Sequence, residues 1–358
     1  SDCEASVILT MDSFYEETIR KALNTGKTSI KIVITTNIAD MMGLNPIKKF
    51  LGKVLKKIPS GKVEPIEGLK FFDFINILEN YSGNKIPNVK LNPKEDLAFL
   101  QYTGGTTRPP KGAMLTHYNE VFNIHQVIHW WEVDATRGKD IFLSGFPFFH
   151  LAGMFMNLGA MSFAGTQLLV PNPRDTTHMV DLIEKWKPDI MVNVPTLYLM
   201  LLKEPKFKEI DLSSIRVYVS GAAPFPSESI VEFEKVVGEH KLLEVYGMTE
   251  ASPIVTMNPY KGTRKIGTVG IPASNTLVKV VNVEDKSKEV PLGEAGEIVI
   301  KGPQIFQGYW KKNKETENAL RDGWFFSGDV GIMDEDGYLR IVDRTKDMIN
   351  VSGLKVFS

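Results

Sequence analysis

The residues from Thr103 to Lys111 have the types and spacing that bind a polyphosphate. The groups concerned are Thr103, Gly104, Gly105, Thr106, Thr107 and Lys111. Glycines let backbone N–H groups approach an anion closely, threonine hydroxyls add donors, and the lysine adds a positive charge. The pattern predicts a phosphate-binding loop. The alternative is a polar surface turn, because glycine and threonine are common in turns.

A strand and a helix are expected to hold this loop. The apolar run Leu97–Leu100 predicts a strand, and apolar residues at helical spacing from Thr116 onwards predict a helix. A loop that leaves a strand end lies where ligands bind in α/β sheets. It is not a Walker A loop, because Gly112 rather than a hydroxyl residue follows Lys111, and it is not a GxGxxG loop.

A second polar segment, EVYGMTE at Glu244–Glu250, indicates the kind of phosphate chemistry in which the loop takes part. Together with the TGGTT and PKG sequences of the loop, it resembles the adenylate-forming superfamily of acyl-CoA synthetases, carrier-linked adenylation domains and beetle luciferases. The chain is most similar to a long-chain fatty-acid–CoA ligase. The other motifs of that superfamily also occur in its order: SGAAP at Ser220–Pro224, GEIVIKGP at Gly296–Pro303, GWFFSGD at Gly323–Asp329, DGYLRIVDRTKD at Asp336–Asp347 and VSGLK at Val351–Lys355.

The resemblance implies an ATP site built from these motifs. Adenine would lie against Ser220–Pro224 with Tyr246 stacked on its other side, and Glu244 would accept from its amino group. Asp329 would bridge the ribose hydroxyls, and Arg344 would reach ribose or phosphate. The ATP-binding residues would be Thr103, Gly104, Gly105, Thr106, Thr107, Lys111, Gly221, Ala222, Ala223, Glu244, Tyr246, Gly247, Met248, Thr249, Asp329 and Arg344.

The resemblance also implies the reaction and its cofactors, ATP, Mg²⁺ and coenzyme A. Glu250 would be the Mg²⁺ ligand, because hard cations prefer carboxylate oxygen. Mg²⁺ and Lys111 would stabilise the departing pyrophosphate, and Thr249 would donate to the α-phosphate. Coenzyme A would then attack the acyl-adenylate after a domain rotation, with Lys346 at the hinge and Gly353 beside the pantetheine arm.

Residues 141–173 carry no formal charge. That length could span a membrane, but proline and glycine interrupt it, so a buried helix followed by the strand Gln167–Val170 is predicted instead. In the resembling enzymes, Phe146–His150 and the helix after it line an acyl pocket, and Met154 falls where a long-chain relative has an aromatic gate. The substrate-binding residues would be His150, Met154 and Gly221.

Residues 45–62 combine six lysines with apolar residues that fall on one helical face. A basic amphipathic helix can lie on an anionic membrane surface. The alternative is an ordinary surface helix that packs on its own domain. The apolar residues of this face are Phe50, Leu51, Val54, Leu55 and Ile58.

Composition limits the class of protein and its partners. The chain has 43% apolar and 24% charged residues, as globular proteins have, and its formal net charge of −1 argues against nucleic-acid binding. The single cysteine, Cys3, excludes an internal disulfide and suits a reducing compartment, and the acidic start is not a signal peptide. The expected location is cytoplasmic, with membrane association as the open alternative.

The order of the predicted elements indicates an α/β fold. Strands at Ala5–Thr10 and Ile30–Thr35 flank a helix at Phe14–Leu23, a βαβ pattern. The resemblance implies the large N-terminal domain of adenylate-forming enzymes, with two α/β subdomains and a smaller barrel-like β subdomain. The expected domains are a partial first α/β subdomain at 1–95, a second with phosphate loop and acyl pocket at 96–262, a β-rich subdomain at 263–343, and a hinge with the start of a C-terminal domain at 344–358.

Two departures from the family pattern affect the expected activity. Arg108 stands where the family has glycine, and a non-glycine residue resists positive φ. The loop tip therefore takes another shape, or Arg108 adds a phosphate contact. The resemblance also implies further residues before Ser1 and a C-terminal domain after Ser358 whose lysine bridges the acid and the α-phosphate. Residues 1–358 alone are therefore expected to bind nucleotide weakly and to form thioester very slowly or not at all.

The predicted function is an AMP-forming acid–thiol ligase for a medium- or long-chain fatty acid. The long uncharged stretch favours a long acyl chain, and the lack of an obvious acidic anchor disfavours amino-acid activation. The alternatives are an aryl- or amino-acid-activating enzyme, a luciferase-type monooxygenase, and a nucleotide-binding module without turnover. The presence of both Lys111 and Glu250 argues against the module.

Overall fold

The computed structural model describes residues 2–103, 110–131, 135–344, 349–351 and 354–356. The chain divides into two compact units, residues 1–90 and residues 91–358.

The first unit is built on a parallel sheet. Its elements are β1 (Val7–Met11), α1 (Asp12–Phe14), a π-helical segment (Tyr15–Arg20), α2 (Lys21–Asn24), β2 (Ile32–Thr36), α3 (Pro46–Val54), β3 (Lys70–Asp73) and α4 (Phe74–Tyr81). The three strands pair in the order β1-β2-β3. Parallel neighbours need a crossover connection, and α1 to α2 supply it between β1 and β2. The predicted βαβ pattern is confirmed, and its buried residues are Tyr15, Leu23 and Val33.

The helix predicted over residues 45–62 is shorter than expected. Asn45 caps α3 by accepting from the N–H of Lys48 at 2.8 Å, and Pro46 is its first residue. The helix ends at Val54, because Lys56 takes the left-handed conformation (φ 54°) and the N–H groups of Lys57 and Ile58 turn back to the Gly52 carbonyl. The prediction is therefore wrong beyond Val54.

The second unit begins with a hairpin and continues into a large sheet. The elements are β4 (Leu97–Thr103), β5 (Lys111–Thr116), α5 (His117–Trp131), β6 (Ile141–Ser144), α6 (Leu151–Ser162), β7 (Thr166–Leu168), α7 (Thr176–Trp186), β8 (Ile190–Asn193), α8 (Pro195–Leu202), a 3-10 segment (Pro205–Lys208), β9 (Val217–Ser220), α9 (Ser227–Val237), β10 (Leu242–Gly247), a 3-10 turn (Thr249–Ala251), β11 (Ile254–Met257) and β12 (Ile271–Pro272).

The large sheet has seven strands in the order β12-β11-β10-β9-β8-β6-β7. Strands β6 to β10 are parallel to their neighbours, and β11 and β12 add an antiparallel edge. Every residue of β8 and β9 is buried, as expected for parallel strands covered on both faces. One apolar cluster includes residues of α7, α8 and α9, and another includes residues of α5 and α6.

The predicted phosphate loop does not leave a strand of this parallel sheet. It connects β4 to β5, which pair with each other as an antiparallel hairpin from Thr103 and Lys111 to Leu97 and Thr116. The strand β5 was not predicted, because a lysine and a glycine begin it and its extended conformation depends on pairing with β4 and with residues 306–310. The helix predicted from Thr116 is confirmed as α5.

The C-terminal part of the second unit is β-rich, as the sequence predicts. Its elements are β13 (Leu277–Val281), β14 (Ala295–Lys301), α10 (Asn313–Ala319), β15 (Leu320–Arg321), β16 (Trp324–Met333), β17 (Leu339–Arg344), β18 (Ile349–Val351) and β19 (Leu354–Val356). Five of the strands form an antiparallel sheet in the order β13-β14-β16-β15, with β17 beside β16.

The uncharged residues 141–173 fold as β6, the twelve-residue helix α6 and β7. The prediction of a buried helix followed by a strand is confirmed. In the described part of the chain, no helix has the length and apolar character needed to cross a membrane.

Candidate active site

In the second unit, a lysine and a carboxylate both contact one tyrosine. Lys111 is the first residue of β5, and its Nζ lies 3.9 Å from the ring centroid of Tyr309. The Tyr309 hydroxyl donates to Oε1 of Glu250 at 2.6 Å. Glu250 belongs to the 3-10 turn that follows β10. The structure thus brings together two predicted catalytic residues and a tyrosine that the sequence analysis did not single out.

Backbone hydrogen bonds fix the position of Tyr309. On one side, the segment 306–310 pairs with β5: Met114 N–H donates to the Gly308 carbonyl at 2.9 Å, and Trp310 N–H donates to the Gly112 carbonyl at 2.8 Å. On the other side, Phe306 N–H donates to the Glu250 carbonyl at 2.9 Å. The segment therefore joins the strand that carries Lys111 to the turn that carries Glu250.

A second tyrosine contacts the carboxylate that is predicted to bind ribose. Tyr246, near the end of β10, donates its hydroxyl to Oδ2 of Asp329 at 2.7 Å. Asp329 lies on β16, opposite Arg344 of β17 in the sheet register. Of Arg344, the structure describes only the backbone. Tyr246 and Asp329, predicted to bind adenine and ribose, are therefore in direct contact.

The predicted adenine-binding segment follows β9. A side chain at Gly221 would come within 2.7 Å of Val245 Cγ2, and one at Gly247 would come within 2.0 Å of the Pro253 carbonyl oxygen. Both glycines are therefore required by close packing of the chain itself. Ala222, with φ 66°, and Ala223 are exposed beyond the strand end.

Glu244 is a buried carboxyl group with one weak hydrogen bond. Its Oε2 accepts from Gly267 N–H at 3.4 Å, while the nearby Arg264 forms a buried ion pair with Glu234. Burial raises the pKa of Glu244 to about 7, with the Gly267 amide and Arg264 opposing the rise. Near neutral pH this group can therefore accept or donate a hydrogen bond.

Several predicted phosphate contacts lie outside the described residues. These are Gly104, Gly105, Thr106, Thr107 and the neighbouring Arg108. Lys346, predicted for the hinge, and Gly353, predicted beside the pantetheine arm, also lie outside the described residues. The Thr103 hydroxyl donates to the Lys111 carbonyl at 3.3 Å across the hairpin. Met248 and Thr249 are half-buried and directly precede Glu250.

The predicted acyl-pocket residues are spread along the start of α6. His150 caps this helix, because its Nδ1 accepts from Ala152 N–H at 3.2 Å, and its ring stacks on Phe146. Met154 is half-buried one turn later. A separate apolar cavity of about 30 Å³ lies between α5, α6 and β6, lined by residues that include Val127, Phe155 and Phe163. That volume has room for about one water molecule.

Glu120 on α5 is a second group that the sequence analysis missed. It is 2% exposed, and neither carboxyl oxygen has a hydrogen-bond partner among the residues that the structure describes. Ser252 lies close enough to lower its pKa, but the Ser252 hydroxyl donates at 2.9 Å to the Gln304 carbonyl. Burial dominates and raises the pKa of Glu120 to about 8. The sequence signal was its place one turn before Ile124, on the apolar face of the helix.

Comparisons with known proteins show the family and the fold to which this chain is similar. A family model described as AMP-binding enzyme matches residues 1–310. A long-chain-fatty-acid–CoA ligase of Salmonella typhimurium is 37% identical over 361 residues, covering 100% of this chain and 62% of the relative. The structure of a long-chain-fatty-acid–CoA ligase from Archaeoglobus fulgidus matches with a TM-score of 0.75 at 29% identity, covering 96% of this chain and 64% of that one. ATP-bound MatB from Rhodopseudomonas palustris also matches with a TM-score of 0.75 at 29% identity, covering 94% and 63%. This chain therefore spans less than two thirds of the length of each.

Proposed function

Because this chain belongs to the AMP-binding enzyme family, we propose that the protein activates a medium- or long-chain fatty acid with ATP and transfers the acyl group to coenzyme A. The observation that carries the proposal is the meeting of Lys111 and Glu250 at Tyr309. A fixed cation beside a carboxylate that can hold Mg²⁺ suits a polyphosphate whose charge must be neutralised during reaction. The names of the relatives support a fatty acid as the substrate.

The proposed reaction has two steps. A carboxylate oxygen of the acid attacks the α-phosphorus, the bond between the α- and β-phosphates breaks, and pyrophosphate leaves. The thiol sulfur of coenzyme A then attacks the acyl carbon, AMP leaves, and the thiol proton is released. Lys111 would offset the charge on pyrophosphate, and Thr249, beside Glu250 in the 3-10 turn, would donate to the α-phosphate. The coenzyme A contacts proposed for Lys346 and Gly353 concern positions outside the described residues.

Glu250 is the residue that would hold Mg²⁺. Among residues that the structure describes, no three His, Cys, Asp or Glu side chains are grouped so that they could hold a metal ion. A single carboxylate still fits Mg²⁺ that arrives with ATP, because this ion typically uses one or two carboxylates together with substrate phosphates. When bound, the ion would neutralise phosphate charge. Tyr309 orients the carboxylate by donating to one of its oxygens.

The nucleoside would bind at the second tyrosine. Asp329 accepts from Tyr246 through Oδ2, and a carboxylate has enough lone pairs to accept ribose hydroxyls as well. The exposed Ala222 and Ala223 leave space beside the end of β9 for a flat ring. The ionised Glu244 carboxylate would accept a hydrogen bond from the adenine amino group. Because the pKa of Glu244 is raised to about 7, this contact would depend on pH.

The acyl chain would enter beside α6. The cavity of about 30 Å³ is too small for a fatty chain, so side chains must move to enlarge it. Met156 lines the cavity, and methionine changes rotamer easily because its side chain is unbranched. Gly159 and Ala160 line the same wall, and their small side chains occupy little space there.

The test of this function is product formation with a panel of acids. The intact protein is incubated with ATP, Mg²⁺, coenzyme A and one acid at a time, and acyl-CoA and AMP are quantified together. Equal amounts of both products with acids of medium or long chain length are expected. Turnover only with aryl or amino acids would replace the substrate class. Nucleotide binding without products from any acid would indicate a module without turnover.

We also propose that α3 contacts an anionic membrane surface. Its apolar residues are exposed, from 48% at Leu51 to 71% at Ile47, and Phe50 is 66% exposed. Lysines flank these residues in the sequence, and a basic helix with an exposed apolar face binds anionic lipid by burial and by charge. Such contact would suit an enzyme that takes fatty acid from a bilayer.

Vesicle flotation tests the membrane contact. The intact protein should float with phosphatidylglycerol vesicles and much less with phosphatidylcholine vesicles, and Phe50→Ser should reduce flotation. Leu277→Ser is the matched control, because Leu277 is a similarly exposed apolar residue (58%) on β13. Equal flotation of Phe50→Ser and wild type would exclude α3 as the contact.

A further inference from the structure

Tyr309 lies between two opposite charges that do not contact each other directly. Its ring face is 3.9 Å from Lys111 Nζ, and its hydroxyl donates to Glu250 at 2.6 Å. Among the ion pairs of the described residues, none joins Lys111 to Glu250. Each charge is therefore satisfied by a different part of the same aromatic side chain.

The ring cannot easily leave this position. Tyr309 is 5% exposed, and Phe306 packs edge-on against it with ring centroids 4.8 Å apart. Its own N–H donates to the Thr316 hydroxyl at 2.9 Å, and its backbone forms a bridge with Ala113 of β5. Because the backbone is bonded on both sides, the two polar contacts of the side chain are set by the fold.

Tyrosine suits this position because its ring face and its hydroxyl can each contact a charge of opposite sign. A neutral ring attracts the lysine through its negative face, and its hydroxyl donates to the carboxylate. If a small aliphatic residue stood here, Lys111 and Glu250 could approach each other and form an ion pair.

We propose that Tyr309 is a positioning residue that keeps Lys111 and Glu250 from pairing, so that both charges remain available to nucleotide. This inference rests on the proposed function, because it assumes that Lys111 and Glu250 act on ATP. An ion pair in the empty site would have to break before Lys111 could bind phosphate. Tyr309 avoids that cost by giving each charge a weaker partner that phosphate or Mg²⁺ can replace.

The test is a binding experiment without catalysis. Affinity of the intact protein for ATP is measured by calorimetry in the absence of divalent cations, so that the contribution of Lys111 is isolated. Tyr309→Leu is expected to lower the affinity about tenfold, a typical effect of one charge-assisted contact. Tyr309→Phe, which keeps the ring between the charges, is expected to remain within about twofold of wild type.

A second substitution separates positioning from general damage. In Tyr309→Leu combined with Glu250→Gln, the carboxylate charge is gone and no ion pair can form, so the affinity for ATP should return towards that of Glu250→Gln alone. A purely structural defect would persist in the double variant. High salt should also reduce the defect of Tyr309→Leu, because salt weakens an ion pair.

Tyr338→Leu is the matched control for stability. Tyr338 is 8% exposed, its hydroxyl donates to the Thr263 carbonyl, and Lys265 Nζ lies 4.5 Å from its ring centroid. Tyr338→Leu should lower the melting temperature as Tyr309→Leu does. It should leave the affinity for ATP unchanged, so that there is no binding defect for Glu250→Gln to reverse. Unchanged affinity in Tyr309→Leu, or a defect that Glu250→Gln does not reverse, would overturn the inference alone. Failure of the wild type to bind ATP would overturn the proposed function with it.

Discussion

Two regions of the second unit contain a tyrosine that donates to a carboxylate, and they differ in what adjoins the pair. Tyr309 donates to Glu250 at 2.6 Å beside the Lys111 ammonium group. Tyr246 donates to Asp329 at 2.7 Å, and Asp329 lies on β16 opposite Arg344 of the neighbouring strand β17. The first pair adjoins a cation and suits phosphate and Mg²⁺, whereas the second suits the hydroxyl groups of ribose. In the proposed site, the same local contact would support charge neutralisation in one region and hydrogen bonding to ribose in the other.

The largest effect is expected in the first pair. Glu250→Gln keeps the size of the side chain and its contact with Tyr309 but removes the charge that would hold Mg²⁺. Turnover should fall about 10²–10³-fold, as for the loss of one preorganised electrostatic group. The measurement is acyl-CoA formation at saturating ATP, with binding of a fluorescent fatty acid as the control that should not change. An unaltered rate would show that Glu250 is not the ligand.

A smaller effect of a different kind is expected in the second pair. Asp329→Asn should weaken ATP binding about tenfold, because two ribose hydroxyls lose a charged acceptor. The rate at saturating ATP should change little, so KM and kcat should separate. A fall in kcat as large as that of Glu250→Gln would show that the two regions do not divide the work in this way.

The acyl side should respond in specificity rather than in rate. Met154→Trp adds volume to a half-buried position on α6, and a packed wall has little room for it. If Met154 lines the acyl tunnel, the preferred acid should become shorter. The profile of turnover against chain length measures this change, with the exposed Met161→Trp on the same helix as control. Identical profiles for Met154→Trp and wild type would place Met154 outside the tunnel.

Glu120 differs from both pairs, because no tyrosine of the described residues donates a hydrogen bond to its carboxyl group. Burial raises its pKa from 4.5 to about 8. Between these values Glu120 binds more protons in the folded chain than in the unfolded chain, so its contribution to the free energy of unfolding falls as pH rises from about 4.5 to about 8. Each pKa unit is worth about 1.4 kcal/mol, so the decline amounts to a few kcal/mol.

Denaturant unfolding at pH 5 and pH 8 checks this expectation. Glu120→Gln stays neutral at both values and should lose that part of the pH dependence, becoming more stable relative to wild type at pH 8. A constant difference between variant and wild type across this range would show that Glu120 is ionised in the fold.

The sequence predicted the parts of the site that belong to short motifs. Glu250, Tyr246 and Asp329 were selected in this way, and the structure shows Glu250 in contact with Tyr309 and Tyr246 in contact with Asp329. Periodicity could not predict β5, because its extended conformation depends on pairing with β4 and with residues 306–310 rather than on its own residues. The end of α3 was missed because the left-handed turn at Lys56 interrupts no apolar pattern.

Tyr309 was missed for a related physical reason. Its contact with Glu250 joins residues 59 positions apart, and its contact with Lys111 depends on the pairing of segment 306–310 with β5. Nothing in the local sequence distinguishes this tyrosine from a core aromatic residue. The available signal was its place after Gly308, in an aromatic-rich segment that directly follows the GEIVIKGP motif.

Pyrophosphate exchange tests most directly whether this site forms an acyl-adenylate. The intact protein is given ATP, Mg²⁺ and labelled pyrophosphate without coenzyme A, and label in ATP is measured with and without a long-chain fatty acid. We expect exchange that requires the acid and that Glu250→Gln nearly abolishes. Tight binding of ATP with no acid-dependent exchange for any acid in the panel would contradict it.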